Sequence, residues 1–189
     1  MSNICCGILC AVLICFLGLA GLKAWKEAGG EVEEGPPTAQ DQVGVYPVPE
    51  SVDSRLVADK TGVLEAMSTG MRQICDARSE ERFWGRVDEP RPGLEGGHIP
   101  GSLLLSFPQV LEPGDSTKFR DFKELRSAFD EAGVVAGSRV IFTCGSGVTA
   151  AVLALARTHS GALEEESSVY DGSWSEWGAD TTAPKMKDE

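Results

Sequence analysis

The chain has 189 residues, of which 42% are hydrophobic and 24% are charged, and its formal net charge is −12. This length accommodates one ordinary α/β domain with extensions, and it is too short for two full domains. The acidic excess argues against a nucleic-acid partner, because no basic surface is available to neutralise phosphates. Four of the six cysteines lie in one apolar segment, residues 5–15, so we expect reduced thiols rather than a disulfide framework.

The amino-terminal segment is apolar and carries no charged side chain before Lys23. Residues 4–22 are long enough to cross a bilayer as a helix, and Lys23 and Lys26 follow them directly. Positive charge on that side predicts a retained single-pass membrane anchor, with the remainder of the chain in the cytosol. A cleaved signal peptide is the alternative, with residues 18–20 as its cleavage site.

Composition divides the chain into four segments. The apolar leader covers residues 1–22, and an acidic linker rich in Gly and Pro covers residues 23–50. A globular domain is predicted over residues 51–180, and residues 181–189 form a polar tail.

Within the globular segment, short apolar strands alternate with helices. The predicted strands are 56–58, 72–77, 102–107, 139–143 and 168–170. Helical spacing predicts helices over 60–67, 119–132 and 148–158, with a further helix start at 79–81. The buried face of the helix over 119–132 is expected to carry Phe122, Leu125, Phe129 and Ala132. This alternation predicts a parallel sheet with helices on both faces, and such sheets bind ligands at the carboxyl ends of their strands.

A cysteine, Cys144, stands between the fourth predicted strand and the helix that follows it. Gly145 and Gly147 allow the loop backbone conformations that other residues resist. Successive N–H groups in such a loop point inward, and the next helix adds its positive end. We therefore expect an acidified thiol at Cys144, since these donors stabilise thiolate over thiol. The backbone predicted to bind the substrate belongs to Gly145, Gly147, Val148 and Thr149.

Protein tyrosine phosphatases use a comparable loop, but they need an arginine six residues after the cysteine to hold phosphate. That position is Ala150, and the residue before the cysteine is Thr143 rather than histidine, so the sequence argues against phosphatase chemistry. The remaining cysteine of the domain, Cys75, is expected in the core of its strand. His98 and His159, in a turn and at a helix end, are assigned no catalytic role.

The loop sequence CGSGVTA, residues 144–150, resembles the active-site loop of the mercaptopyruvate sulfurtransferase branch of the rhodaneses. The resemblance extends over residues 46–180 and includes DAR at 76–78, GHIPG at 97–101 and YDGSWSEW at 170–177. It implies a rhodanese-like three-layer α/β/α fold with a five-stranded parallel sheet, here preceded by an amino-terminal apolar helix. It implies no metal and no organic cofactor.

The resemblance also implies a reaction. The Cys144 thiolate would take sulfane sulfur from 3-mercaptopyruvate and pass it, as a persulfide, to cyanide or to a thiol such as thioredoxin or glutathione. Arg82 and Arg91 match the family's two arginines that hold the donor's carboxylate and carbonyl. Ser146 matches the loop serine, which in the family works with an Asp and a His from an amino-terminal domain. Thiosulfate is expected to be the poorer donor, because Gly145 and Ser146 stand where thiosulfate-specific members carry basic residues.

The spacing of residues 19–25 up to Trp25 repeats that of residues 171–177, so this segment resembles the tail of another rhodanese domain. Two interpretations stay open at this point. The chain is either a membrane-anchored single-domain product or a truncated gene model. In the second case the leader is an artefact, and the natural protein is soluble and either cytosolic or mitochondrial. The alternative function is a membrane-tethered rhodanese-like module that binds a partner and catalyses little.

Overall fold

The computed structural model describes residues 21–35, 53–162 and 167–188. Its centre is one parallel sheet of five strands: β1 Val57–Ala58, β2 Arg72–Asp76, β3 Leu103–Leu104, β6 Arg139–Thr143 and β7 Ser167–Tyr170. The spatial order is β1-β7-β6-β2-β3, and every neighbouring pair is parallel. The predicted α/β class with a five-stranded parallel sheet is therefore confirmed.

Helices cover both faces of this sheet. The helices of the described residues are α1 Gly21–Glu27, α2 Lys60–Thr69, α3 Glu80–Phe83, α4 Phe122–Glu131, α5 Val148–His159 and α6 Ser173–Trp177, with 3-10 turns at Ser54–Leu56 and Phe107–Val110. Along β6, Val140 and Phe142 pack in the core shared with α4 and α5, whereas Ile141 packs with α2 and α6. Alternate side chains of a strand point to opposite faces, which is why a continuous apolar run suits this strand.

The region before α4 differs from the prediction, because it forms a hairpin instead of a first helical turn. Strands β4 Leu111–Glu112 and β5 Asp115–Phe119 pair antiparallel across a Pro-Gly turn, with Gly114 at φ 83°. Helix α4 then begins at Phe122, because Asp121 caps it by accepting the N–H of Glu124. Phe122 is 49% exposed, so its predicted place on the buried face is wrong.

The third strand is shorter than predicted, two residues instead of six. It lies at the edge of the sheet, beside β2. Beyond it the chain still bonds to the segment that continues β2, since Leu105 N–H donates to Asp76 O and Phe107 N–H donates to Ala77 O. The 3-10 turn that begins at Phe107 then carries the chain away from the sheet.

The predicted localisation, a single-pass membrane protein with a cytosolic catalytic domain, is contradicted. Among residues 21–35, 53–162 and 167–188, no helix is long and apolar enough to cross a membrane. Helix α1 is described over Gly21–Glu27, of which Gly21 and Leu22 belong to the proposed span. The rest of that span, including the predicted apolar helix, lies outside the described residues.

The two tryptophan-bearing tails share a local feature. Trp25 Nε1–H donates to Glu31 O at 2.8 Å, and Trp177 Nε1–H donates to Pro184 O at 2.9 Å. In both, a tryptophan near the end of a short helix bonds to a carbonyl six or seven residues further on. The remnant-tail interpretation and the segment boundaries at residues 22, 50 and 180 stay predictions.

A buried histidine holds the carboxyl-terminal tail. The backbones of His98 and Met186 exchange two hydrogen bonds, of 2.7 and 3.0 Å. The His98 ring stacks on Phe83 at 3.9 Å between ring centroids, and its Nδ1 lies 2.9 Å from Phe83 O. The absence of a catalytic role for His98 stays a prediction.

We expect this histidine to make stability depend on pH. Burial lowers the pKa of His98 below its usual 6.5, so the unfolded chain takes up the proton first as the pH falls. Its contribution is thus complete above pH 6.5 and declines below it, by up to about 1 kcal/mol per pH unit. Denaturant unfolding at pH 7.5 and 5.5 should show a larger loss in wild type than in His98→Gln. Equal losses in the two proteins would contradict this assignment.

Candidate active site

Cys144 directly follows β6, the strand between β2 and β7, at the carboxyl edge of the sheet. It is a free thiol and only 2% exposed. The backbone N–H of Ser146 points back to it, with nitrogen 3.4 Å from Sγ. Gly147 then starts α5 at φ 84°, a left-handed conformation that glycine adopts without strain. The loop therefore turns a backbone donor and a helix amino terminus toward the sulfur.

Helix α6 holds the loop from the other side. Trp174 N–H donates to Cys144 O at 2.9 Å, and Ser175 N–H donates to Gly145 O at 3.1 Å. The Ser175 hydroxyl adds a bond to the same Gly145 carbonyl at 2.5 Å. With two carbonyls engaged by α6, the loop backbone is fixed on the side that faces α6.

Ser173 supports the cysteine at a cost in backbone strain. It has φ 49°, and it is the non-glycine residue with positive φ in the part of the chain that the structure describes. Its hydroxyl accepts the Cys144 N–H at 3.3 Å and donates to Tyr170 O at 2.8 Å. Non-glycine residues in this region cost of the order of 1 kcal/mol and persist where the surroundings fix them.

Arg82, which the sequence predicts to bind the substrate, lies against the loop. A Cβ built on Gly145 would be 3.0 Å from its Nη2 and 3.5 Å from its Nη1, so the guanidinium occupies the space beside Gly145. The other edge of the guanidinium donates to Glu89, from Nη2 at 2.5 Å and from Nε at 3.3 Å. Among the described residues, none accepts a hydrogen bond from Nη1, so this nitrogen of Arg82 is available to a ligand.

Arg91, the second predicted arginine, also reaches the loop. Its Nη1 lies 3.5 Å from Gly145 O and donates to the Ser175 hydroxyl. No carboxylate in the described part of the chain forms an ion pair with it. Arg82 and Arg91 thus come from separate places in the sequence to the same glycine.

Behind these groups lies a buried ionic cluster. Arg78 bonds to Asp76 through Nη2 at 2.7 Å and to Glu89 through Nη1 at 2.8 Å, and all three side chains are at most 1% exposed. Its guanidinium also lies 4.1 Å over the Trp174 ring and donates to Gly97 O. The cluster therefore connects β2, the loop that carries Arg91, and α6.

The other predicted site residues are placed differently. The side chains of Ser146 and Val148 are exposed, and Thr149 is half-buried in the first turn of α5. Asp171 lies on the far side of Gly147, where its carbonyl would be 3.3 Å from a built Cβ. Within the described residues, no group of three or more His, Cys, Asp or Glu could hold a metal ion.

Cys75 is fully buried within β2, as predicted, and burial raises the pKa of its thiol far above the usual range. Cys75 is therefore unsuited to act as a nucleophile, because the thiolate is the reactive form.

His159 ends α5 and stacks on Phe119 at 6.0 Å between centroids, away from the cysteine loop.

Sequence reasoning missed Glu89 and Ser175 as parts of this site. Ser175 could have been suspected, since it falls in the YDGSWSEW segment that carries the family resemblance. Glu89 gave no signal, because a glutamate in a loop rich in proline and glycine is ordinarily solvated.

The chain is similar to known proteins in sequence and in fold. The family model of the rhodanese-like domain matches residues 60–180. The 3-mercaptopyruvate sulfurtransferase of Escherichia coli K12 is 37% identical over 167 residues, which cover 87% of this chain and 55% of that protein. The enzyme of the same name from Rattus norvegicus is 36% identical over 126 residues, covering 67% of this chain and 41% of its own length.

Among solved structures, SseA from Escherichia coli, a 3-mercaptopyruvate sulfotransferase with the rhodanese fold, matches with a TM-score of 0.62 and 32% identity. The match covers 82% of this chain and 54% of that one. The chain thus spans about half the length of the curated relatives it matches. From the matched domain and these similarities, the chain belongs to the rhodanese family.

Proposed function

We propose that this protein is a sulfurtransferase that takes sulfane sulfur from 3-mercaptopyruvate onto Cys144 and passes it to a thiol or to cyanide. The observation that carries the proposal is a cysteine at the end of a central strand with two arginines converging on the next residue. That arrangement combines a nucleophile with cations for the donor's 2-oxo acid group. The sulfurtransferase names of the relatives support the same reaction class.

In the first half-reaction the Cys144 thiolate attacks the donor's sulfur. A new S–S bond forms, the bond between sulfur and C3 of the donor breaks, and its electron pair leaves as the enolate of pyruvate. The enolate takes up a proton at C3, matching the proton that the donor thiol gives up. Cys144 then carries a persulfide, and we propose that N–H groups of the loop stabilise its terminal sulfur, as the Ser146 N–H does the Cys144 sulfur.

In the second half-reaction the thiolate of an acceptor attacks the outer sulfur. The S–S bond to Cys144 breaks, the acceptor leaves as a persulfide, and the Cys144 thiolate is restored. Glutathione and thioredoxin are the acceptors we propose, because both present a thiolate. The reaction is redox-neutral overall.

The arginines are proposed to act on the donor's other end. Arg82 presents its free Nη1 edge beside Gly145, and Arg91 approaches the same residue without a carboxylate partner. Guanidinium groups bind carboxylate and carbonyl oxygens with two parallel bonds, and they stabilise the enolate as its charge develops. The exposed Ser146 hydroxyl is proposed to assist the attack, as the family's loop serine does.

The direct test is turnover. The full chain is incubated with 3-mercaptopyruvate and reduced glutathione, and pyruvate release is followed over time. The proposal expects continuous release that needs both reactants. No release above the rate without protein, with either glutathione or cyanide as acceptor, would overturn it.

Donor preference gives a further prediction. Thiosulfate should be the poorer donor, because no lysine or arginine stands in the loop at 145 or 146 to offset its second charge. A side chain at 145 would collide with Arg82, so the basic residue belongs at the exposed position 146. Ser146→Lys should raise the ratio of kcat/KM for thiosulfate to that for 3-mercaptopyruvate by about tenfold, because the added charge acts more strongly on the dianion, whereas loss of the Ser146 hydroxyl affects both donors.

The control for that prediction is Ser68→Lys. Ser68 is exposed near the end of α2, beside the start of β2 and thus at the opposite edge of the sheet from Cys144. It adds the same charge without approaching the loop. A wild-type preference for thiosulfate, or equal gains in both variants, would contradict the assigned origin of the preference.

A further inference from the structure

Charge is distributed unevenly among the three arginines near the cysteine loop. Arg78 pairs with Asp76, and Arg82 pairs with Glu89, so the four buried or half-buried groups cancel. Among the described residues, the acceptors of Arg91 are two neutral oxygens, those of Ser175 and Gly145. Toward the loop, this part of the site therefore presents one uncompensated positive charge.

Glu89 is responsible for that balance. Its side chain is 1% exposed, and its two oxygens receive bonds from Arg78 at 2.8 Å and from Arg82 at 2.5 Å and 3.3 Å. A buried carboxylate in such contacts acts on both the position and the net charge of its partners, because little solvent screens it. One of those partners, Arg82, adjoins Gly145.

We propose that Glu89 determines donor specificity: it aims Arg82 at the loop and cancels its charge, so that the site favours a monoanionic donor over a dianionic one. This inference rests on the proposed function. A 2-oxo acid with one carboxylate matches the single charge of Arg91 and can still accept a bond from Arg82 Nη1. A dianion such as thiosulfate has no positive partner for its second negative charge, and Asp171 beyond Gly147 adds further repulsion.

The test is Glu89→Gln, which keeps the shape of the side chain and one acceptor oxygen while removing the negative charge. The ratio of kcat/KM for thiosulfate to that for 3-mercaptopyruvate is expected to rise about tenfold. The additional uncompensated positive charge attracts the dianion twice as strongly as it attracts the monoanion. A glutamate with only a structural role would lower both values together and leave the ratio unchanged. That result, or a fall in the ratio, would overturn the proposal.

Glu80→Gln is the matched control. Glu80 pairs with Arg86 at 3.2 Å on the surface, with side chains 62% and 50% exposed, so the substitution removes the same formal charge at a screened site. Its donor ratio is expected to equal that of wild type. A tenfold rise in this variant as well would assign the effect to overall charge and overturn the role of Glu89.

A second readout does not depend on sulfur transfer. Pyruvate, a monoanion, and sulfate, a dianion, are titrated as protectors of Cys144 against iodoacetamide, with labelling measured by peptide mass. Glu89→Gln should shift protection toward sulfate by about tenfold relative to wild type and to Glu80→Gln. If wild type transfers no sulfur, the proposed function fails while this measurement still decides the inference, and an unchanged protection ratio overturns it.

Discussion

Replacing Cys144 with serine is expected to reduce sulfur transfer from 3-mercaptopyruvate by at least about a thousandfold, because a hydroxyl is a far weaker nucleophile than a thiolate. Serine has nearly the shape of cysteine, and the backbone bonds from Ser173 and α6 to residue 144 do not involve the sulfur. The variant should therefore fold and bind donor normally. Activity is measured as pyruvate release with glutathione as acceptor.

Cys75→Ser is the matching control for that substitution. Cys75 lies in the neighbouring strand β2, paired in register with Phe142, and its thiol is fully buried. A serine there leaves a hydroxyl in the core and should reduce stability, while the folded protein keeps its turnover. Comparable turnover losses in the folded forms of both variants would contradict the assignment of Cys144 as the nucleophile.

Replacing Asp76 with alanine is expected to destabilise the fold by about 3–5 kcal/mol, because it breaks a buried ion pair and leaves an excess positive charge inside. Asp76 accepts the Arg78 backbone N–H at 2.9 Å as well as its guanidinium, and both side chains are at most 1% exposed. Arg78 would then have to share Glu89 with Arg82 as its only carboxylate. The free energy of unfolding is measured by denaturant titration at pH 7.5.

The chain offers a surface copy of the same motif as the control. Asp53 and Arg55 have the same separation, the same bond from the arginine N–H to the aspartate, and an ion pair of 2.8 Å, but they are exposed. Asp53→Ala should shift the unfolding midpoint far less, since solvent screens this pair. Similar destabilisation by the two substitutions would show that burial is not what gives Asp76 its importance.

The central strand and its loop are the parts of the fold that sequence predicts best. Strand β6 is found with the predicted bounds, Arg139–Thr143, because it is buried on both faces and is therefore continuously apolar. The glycines at 145 and 147 mark the loop because the backbone there needs freedom and space: Gly147 has φ 84°, and a Cβ on Gly145 would meet Arg82. At these positions the local sequence pattern agrees with what the tertiary structure requires of the backbone.

Elsewhere the structure depends on tertiary contacts, and the local sequence pattern does not predict it. The β4-β5 hairpin carries the polar sequence DSTKF, with no clean alternation to indicate a strand. Helical spacing placed Phe122 on the buried face, yet it is the first residue of α4 and lies at the surface beside Gly161. At the site, the burial of Glu89 depends on two arginines that approach from other segments, which spacing along the chain does not encode.

In the proposed reaction Cys144 carries the transferred sulfur. The most direct measurement is the mass of the protein and of its peptides. The protein is first incubated with 3-mercaptopyruvate in the absence of an acceptor, and free thiols are blocked afterwards. We predict one added sulfur atom per chain, on the peptide that contains Cys144, and its removal when glutathione is added. Sulfur found on Cys75, or turnover without any sulfur on Cys144, would contradict the account.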